Sequence, residues 1–197
     1  MRHIYLDYNA TTPIAPSVQE AMQPFLSEHF GNPSSGHALG RACHEAIEDA
    51  RRHLAILLGA DAEEIVFTSG GTESNNLALK GVLMRGGPPF TGHLVISALE
   101  HPAIVEPARY LERSGCEVTV VGCNRHGLVD PAAIESALRA NTRLVSIMHA
   151  NNEIGVIQPI RQIAEVCRRR QVLLHTDAAQ SVGKIATLVN DLGVDLL

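Results

Sequence analysis

Short apolar segments alternate with amphipathic segments along most of this chain. The short segments are typical of buried strands, and segments with apolar residues every three or four positions are typical of helices. The pattern predicts strands over 65–67, 94–97, 117–121, 144–148, 172–176 and 194–197. It predicts helices over 16–26, 37–58, 72–84, 102–113, 131–139 and 160–170. This alternation favours a mostly parallel sheet with helices on both faces, a three-layer α/β/α fold.

The last predicted strand begins at Val194 and meets the end of the sequence at Leu197. An apolar strand in that place would leave unpaired edges and exposed apolar surface. We therefore expect the 197 residues to be the N-terminal part of a longer protein, with a fold that is incomplete at its C-terminus.

Composition narrows the classes of protein that need to be considered. A chain of 197 residues with 45% hydrophobic residues can bury one good core, and its net charge of −5 suggests no nucleic-acid partner. The basic run Arg168–Arg170 follows a predicted helix, whose C-terminus favours cations. No apolar run approaches the ~18 residues of a membrane-spanning helix, and Asp7 comes too early for a secretory signal. Four cysteines without close pairing argue against a zinc site and favour a cytoplasmic protein with free thiols.

The segment His175–Gln180 follows the apolar run 172–174 and ends that predicted strand in polar side chains. Open α/β sheets bind ligands at the carboxyl ends of their strands. An aspartate fixed there, Asp177, can pair with a protonated ring nitrogen, which is what a pyridoxal phosphate enzyme needs. Gln180 adds an amide nearby. The alternative for Asp177 is the N-cap of a helix.

Two glycines, Gly70 and Gly71, separate the predicted strand 65–67 from the helix that follows. Glycines let backbone amides approach an anion, and the N-terminus of a helix adds the positive end of its dipole. Thr72 can add a hydroxyl group, so the segment Ser69–Asn76 is a candidate phosphate-binding loop. The alternative is a tight turn with Thr72 as the N-cap.

Two further polar segments follow the predicted strands 94–97 and 144–148. In the first, His101 could stack on a planar cofactor and move protons, although a capping role is the alternative. Histidines elsewhere, such as His93, are expected to be surface or capping residues. In the second, His149–Gly155, Asn152 offers an amide for a carboxylate or phenolate oxygen, with a polar turn as the alternative. All four polar segments fall on one edge of the predicted sheet, where together they would form a single pyridoxal phosphate site.

The same segments resemble the cysteine desulfurases, class-V aminotransferase-like enzymes of pyridoxal phosphate fold type I. The resemblance runs the whole length of the chain, in order and with the spacing of the family. The motifs that carry it are Asp7–Pro13, Gly31–Ser35 with His37, Ser69–Asn76, Glu100–His101, His149–Gly155 and His175–Gln180.

The resemblance implies a role for each candidate residue. Gly71 and Thr72 match the pair that binds the phosphate, and His101 matches the imidazole that stacks on the pyridine ring and shuttles protons. Asn152 matches the asparagine near the ring hydroxyl and the substrate carboxylate. The remaining two matches are Asp177, the partner of the pyridine nitrogen, and Gln180, which bonds the ring hydroxyl.

The resemblance also implies an activity that this chain is not expected to perform alone. Family members take sulfur from L-cysteine, which leaves L-alanine and an enzyme persulfide. Their Schiff-base lysine follows a strand that resembles Val194–Leu197, and their nucleophilic cysteine and substrate-binding arginine come later still. The two lysines present, Lys80 and Lys184, do not match that position, and none of the four cysteines matches the nucleophile.

The partners and domains follow from the same resemblance. L-Cysteine is the implied substrate, a sulfur acceptor such as an iron–sulfur scaffold the implied partner, and a homodimer the implied state at full length. Residues 1–15 are expected to form an N-terminal arm and residues 16–197 a truncated cofactor-binding domain. The alternatives are a selenocysteine lyase or other class-V enzyme, a non-catalytic half of a split enzyme, and a truncation product without function.

Overall fold

A computed structural model of the chain describes residues 3–197, which divide into two compact units. The first unit ends at Ile65, and the second runs from Val66 to Leu197. All six candidate site residues belong to the second unit. The division into an arm over 1–15 and a domain over 16–197 stays a prediction.

The first unit is built on two helices. Helix α1, Pro16–Met22, continues into a 3-10 turn over Gln23–Leu26. This region was predicted as one helix, and the change of geometry coincides with Pro24, which has no N–H to donate to an α-helical bond. Helix α2, Ala38–Leu58, starts at the N-cap His37, and Gly59 ends it in a left-handed conformation with φ of 66°.

The second unit contains a four-stranded parallel sheet. Its strands are β1 (His93–Ser97), β2 (Glu117–Val121), β3 (Thr142–Ser146) and β4 (Leu173–His175), in the spatial order β2-β1-β3-β4. Helices α3 (Gly71–Leu83), α4 (Pro102–Arg113), α5 (Pro131–Ala137), α6 (Ile160–Arg169) and α7 (Val189–Leu192) accompany it. Because every strand pairs in parallel, all four carboxyl ends lie at the same edge of the sheet.

Successive strand residues face two separate cores, which confirms the predicted three-layer arrangement. On one face, Leu94 and Ile96 pack in a cluster with apolar residues of α3 and α4. On the other, Val95 and Val145 pack in a cluster with residues of α5 and α6. The near-continuous apolar strands follow from this burial on both faces.

Two of the predicted strands are not among the four strands of the sheet. Residues 65–67 form no strand, and Val66 and Phe67 are 64% and 46% exposed. A strand needs a hydrogen-bonded neighbour, and none of the four described strands pairs with this segment. The strand predicted over 194–197 is reduced to one parallel bridge, in which Leu196 pairs with His175 beside β4.

The surface position expected for His93 is wrong. The ring is fully buried at the start of β1, with Nδ1 2.8 Å from Thr142 Oγ1 and Nε2 2.8 Å from Thr119 Oγ1. Burial is the main cause that lowers the pKa of His93. The ring thus links three strands as a neutral polar group. Within residues 3–197, no helix is long and apolar enough to cross a membrane.

The core beneath α3 gives a test of this packing. Leu79 is fully buried, whereas Leu77 of the same helix is 54% exposed. We expect Leu79→Ala to lower the free energy of unfolding by about 2–5 kcal/mol, because it removes buried methyl groups and leaves a cavity. The matched change Leu77→Ala should cost less than about 1 kcal/mol. Urea unfolding monitored by circular dichroism measures both, and equal losses would contradict this assignment of faces.

Candidate active site

The loops that follow β1, β3 and β4 are hydrogen-bonded to one another. The amide of His149 donates to the carbonyl of Asp177 at 2.9 Å, which continues the β3–β4 pairing beyond the strands. The side chain of Asn151 donates to the carbonyl of Leu99 at 3.1 Å and thereby joins the loop after β3 to the loop after β1. These bonds make the strand ends one continuous polar surface.

Asp177 lies directly after β4, and both of its carboxylate oxygens accept hydrogen bonds. Asn75 of α3 donates its Nδ2–H to Oδ2 at 2.8 Å, and the amide of Ala179 donates to Oδ1 at 3.0 Å. The bond to Ala179 caps a turn rather than a helix. Asn75 is only 4% exposed. Its role was not predicted, because 102 residues separate it from Asp177 and only the fold shows the contact.

Helix α3 begins with a backbone that is open to a ligand. Gly70 is its N-cap, with φ of 154°, so the interpretation of Thr72 as the N-cap is wrong. A Cβ atom added at Gly70 or Gly71 would meet nothing within 4 Å. The amide of Ser69 donates to the Glu73 carboxylate at 2.6 Å. In the described residues no acceptor bonds the amides of Gly71, Thr72 and Glu73, which are the first donors of the helix.

His101 is the N-cap of α4 and is exposed. Its Nδ1 accepts from the amide of Ala103 at 3.1 Å, while Pro102 occupies the first helical position. A neutral ring with Nδ1 as acceptor carries its proton on Nε2. The capping alternative is therefore observed, and it orients the ring without occupying the second nitrogen.

The two candidate amides lie in turns and are partly buried. Asn152 follows Asn151, whose Oδ1 accepts from the amides of Glu153 and Ile154 at 2.8 and 2.9 Å. Gln180 follows the Asp177 turn, and its Oε1 accepts from Lys184 Nζ at 2.8 Å.

Two buried histidines lie behind this surface and were not predicted to take part. His175 is paired with Ser146 Oγ at 2.9 Å, and burial lowers its pKa to about 4. His149 is paired with Ser181 Oγ at 2.9 Å, and burial lowers its pKa as well. Both rings are therefore neutral at neutral pH.

Comparison with known proteins identifies the family. A profile described as aminotransferase class-V matches residues 4–197.

The chain belongs to the class-V aminotransferases.

Curated proteins with similar sequences are named cysteine desulfurase. A protein named cysteine desulfurase IscS from Dictyoglomus turgidum is 51% identical over 196 residues, which are 100% of this chain and 50% of that protein. A probable mitochondrial cysteine desulfurase of Dictyostelium discoideum is 47% identical over 98% of this chain and 43% of its own length. The chain therefore spans about half the length of the curated relatives it matches.

Solved structures of the same class show the same fold. A structure titled "SspA in complex with cysteine" is 42% identical, with a TM-score of 0.95 over 98% of this chain and 55% of that one. A NifS-like protein is 36% identical, with a TM-score of 0.93 over 98% of this chain and 53% of that one. The expected fold, the large domain of pyridoxal phosphate fold type I, is thereby confirmed for this class-V chain.

The contact between α3 and Asp177 can be tested in this class-V domain by removing its donor. We expect Asn75→Ala to lower the free energy of unfolding by about 1–3 kcal/mol, because a partly buried carboxylate oxygen loses its partner. Among residues 3–197, the one side-chain bond of the neighbour Asn76 is to the carbonyl of Thr72 in its own helix, so Asn76→Ala should cost about 0.5 kcal/mol or less. Chemical denaturation measures both variants, and equal costs would show that the Asn75 bond contributes nothing.

Proposed function

We propose that this chain forms the cofactor-binding part of a pyridoxal phosphate-dependent cysteine desulfurase. The observation that supports this most is the arrangement around helix α3. Its first amides, in Gly71 and Thr72, are open to an anion, and Asn75 on the same helix holds the Asp177 carboxylate at a strand end. The names of the relatives support the choice of reaction.

The chemistry of these groups fits pyridoxal phosphate. The cofactor has an anionic phosphate and a ring nitrogen that can be protonated, and it draws electrons out of a bound amino acid. Amides at the N-terminus of a helix suit the phosphate, and Thr72 can add its hydroxyl. Asp177 suits the protonated nitrogen, because a carboxylate held by two donors on fixed backbone keeps its position.

The remaining residues would hold and orient the ring. His101, which caps α4 through Nδ1, would stack on the ring and move a proton at Nε2. Asn152 would lie near the ring hydroxyl and the substrate carboxylate, and Gln180 would bond the ring hydroxyl. Because both amides lie in turns after strand ends, they share the polar edge with Asp177.

The substrate and partners belong to the same proposal. L-Cysteine would lose its sulfur and leave as L-alanine, and the sulfur would remain as an enzyme persulfide for a sulfur-acceptor protein such as an iron–sulfur scaffold. The structure titled with SspA and cysteine supports the choice of substrate. The complete protein would be a cytoplasmic homodimer.

Neither lysine of this chain is assigned the covalent bond to the cofactor. Lys80 lies on α3 with its Nζ 4.7 Å from the centre of the Tyr110 ring, and Lys184 bonds Gln180. Cys43, Cys116 and Cys167 are buried and Cys123 is exposed. We therefore assign this chain cofactor binding and expect no sulfur transfer from it alone.

Two other functions share the same fold. A selenocysteine lyase or another class-V enzyme would prefer a different substrate, and a non-catalytic half of a split enzyme would need a second chain. Rates on L-cysteine and L-selenocysteine in the complete protein separate the first from a desulfurase. Recovery of activity when another chain is added would identify this protein as half of a split enzyme.

Binding of the cofactor can be measured on the chain itself. We expect pyridoxal phosphate to bind and Asp177→Asn to weaken it by about tenfold to a hundredfold, because a charge-assisted hydrogen bond is lost. Asp191, which lies on the short helix α7, provides the matched control Asp191→Asn with unchanged affinity. A fluorescence titration gives the three dissociation constants. Equal affinities for all three proteins would overturn the assignment of Asp177.

Activity provides a second test. With pyridoxal phosphate and L-cysteine, the 197-residue chain should release no alanine above background, because neither lysine is suited to hold the cofactor covalently. The chain fused to the second half of the Dictyoglomus turgidum relative should release alanine, and Asp177→Asn in that fusion should abolish most of it. Chromatography of the products gives the rates. Steady release by the chain alone would contradict the expected inactivity, and a fusion that binds the cofactor without desulfurating L-cysteine would contradict the proposed reaction.

A further inference from the structure

Glu100 is a buried carboxyl between two strand-end loops. It is 8% exposed and directly follows the turn after β1. Its Oε1 accepts from the hydroxyl of Ser97 at 2.6 Å and from the amide of Met148 at 2.9 Å. Ser97 ends β1 and Met148 follows β3, so a single carboxyl oxygen joins both loops.

The second oxygen of Glu100 has no hydrogen-bond partner among the described residues. Oε2 is buried, and it is the only buried side-chain oxygen or nitrogen in residues 3–197 for which none is found. A charged carboxylate would leave this oxygen without solvation or a donor, which is costly in an interior. Burial accordingly raises the pKa of Glu100 to about 7, in spite of the bonds from Ser97 and Met148.

The negative charge of a carboxylate at the end of another strand also raises the pKa of Glu100. Asp177, after β4, raises the pKa of Glu100 further, because a negative charge on one carboxylate opposes ionisation of the other. The loops and strand ends after β1, β3 and β4 also hold His149 and His175, both kept neutral by burial, His101, which follows Glu100 in the chain, and the exposed Glu153 and Lys184. A proton on Glu100 leaves Asp177 as the charged member of this pair.

We propose that Glu100 is a positioning residue. In its neutral form, this buried carboxyl joins the loops after β1 and β3 without adding a second negative charge near Asp177. The main chain of His101 is thereby held in place, since it directly follows Glu100 and begins α4. The relevance to catalysis rests on the proposed function, in which His101 and Asp177 face the cofactor. Loss of the proton above neutral pH puts a second negative charge at the strand ends and weakens the arrangement.

A titration by nuclear magnetic resonance tests the proton directly and needs no cofactor. The amide of Met148 donates to Glu100, so its resonance should shift with a midpoint close to pH 7 in the unaltered chain. The same shift should be absent in Glu100→Gln, which keeps the acceptor oxygen but cannot ionise. The backbone amide resonance of His101 should show an inflection with the same midpoint as that of Met148, and Glu100→Gln should lose this component, which a purely structural role would not produce. A Met148 resonance that is flat from pH 5.5 to about 8.5 in the unaltered chain would overturn the proposal.

Stability provides an independent measurement. The folded chain holds a proton on Glu100 that the unfolded chain releases near pH 4.5, so raising the pH from 5 towards 8 favours unfolding. Relative to Glu100→Gln, the unfolding constant of the unaltered chain should rise by up to about a hundredfold over that range. The exposed Glu112 on α4 gives the control variant Glu112→Gln. The ratio of the unfolding constant of the unaltered chain to that of this control should stay constant with pH.

The outcomes separate this inference from the proposed function. If Glu100→Gln does not fold, infrared spectroscopy of the unaltered chain tests the same protonation. The signal to follow is the carbonyl stretch of a protonated carboxyl group. Its presence at pH 6 and loss by about pH 8.5 supports the proposal, and its absence at pH 6 overturns it. A chain with this titration that does not bind pyridoxal phosphate would leave the Glu100 inference standing and refute the proposed function.

Discussion

The hydrogen bond from Asn75 to Asp177 joins the two parts of the candidate site. It connects the second turn of α3 to the end of β4 across 102 residues of sequence. Without it, the open amides at the start of α3 and the carboxylate of Asp177 would be held in place only by their separate elements. With it, one helix sets the position of both. The rest of the site is connected to this pair, because the loop after β3 bonds the carbonyl of Asp177 and is in turn bonded to the loop after β1.

Electrostatics at the strand ends depend on which groups stay neutral. His175 and His149 are buried beside hydroxyl groups, and burial lowers the pKa of both rings, to about 4 for His175. Glu100 is displaced the opposite way, because burial favours the neutral form of any ionisable group. Below the Glu100 pKa of about 7, this acid and the two histidines are therefore uncharged together, through pKa shifts in opposite directions. This leaves the carboxylate of Asp177, which has two hydrogen-bond donors, to carry charge at the polar edge.

Local pattern was sufficient to predict most elements of the fold. Helix α4 and strand β2 have the predicted bounds, because Pro102 begins the helix and glycine or polar residues flank the strand. The segment 65–67 has an apolar composition like that of the true strands but pairs with none of the four described strands, and a strand depends on a neighbouring strand that composition does not reveal. His93 was misjudged for the same reason, since its two threonine partners lie on other strands.

The candidate site could be predicted only in part, and the missing residues share one property. Gly71, Thr72, His101, Asn152, Asp177 and Gln180 stand out as polar or glycine residues after predicted strands. Asn75 and Glu100 stood inside those same motifs, yet the bonds that join Asn75 to Asp177 and Glu100 to Met148 reach residues far away in sequence. Such contacts require the fold, because they depend on how strand ends lie side by side.

The arrangement around α3 also limits what the site can recognise. The first amides of the helix present partial positive charge, while Asn75, a turn further on, holds a carboxylate. A ligand that satisfies both must carry an anionic group at one end and a cationic group at the other. A simple anion would meet the amides but leave Asp177 without a cation, and a simple cation would do the reverse. These two requirements favour a ligand that carries a phosphate and a protonated ring nitrogen over inorganic phosphate or a metal ion, and they follow from residues that share a single helix and the strand end it contacts.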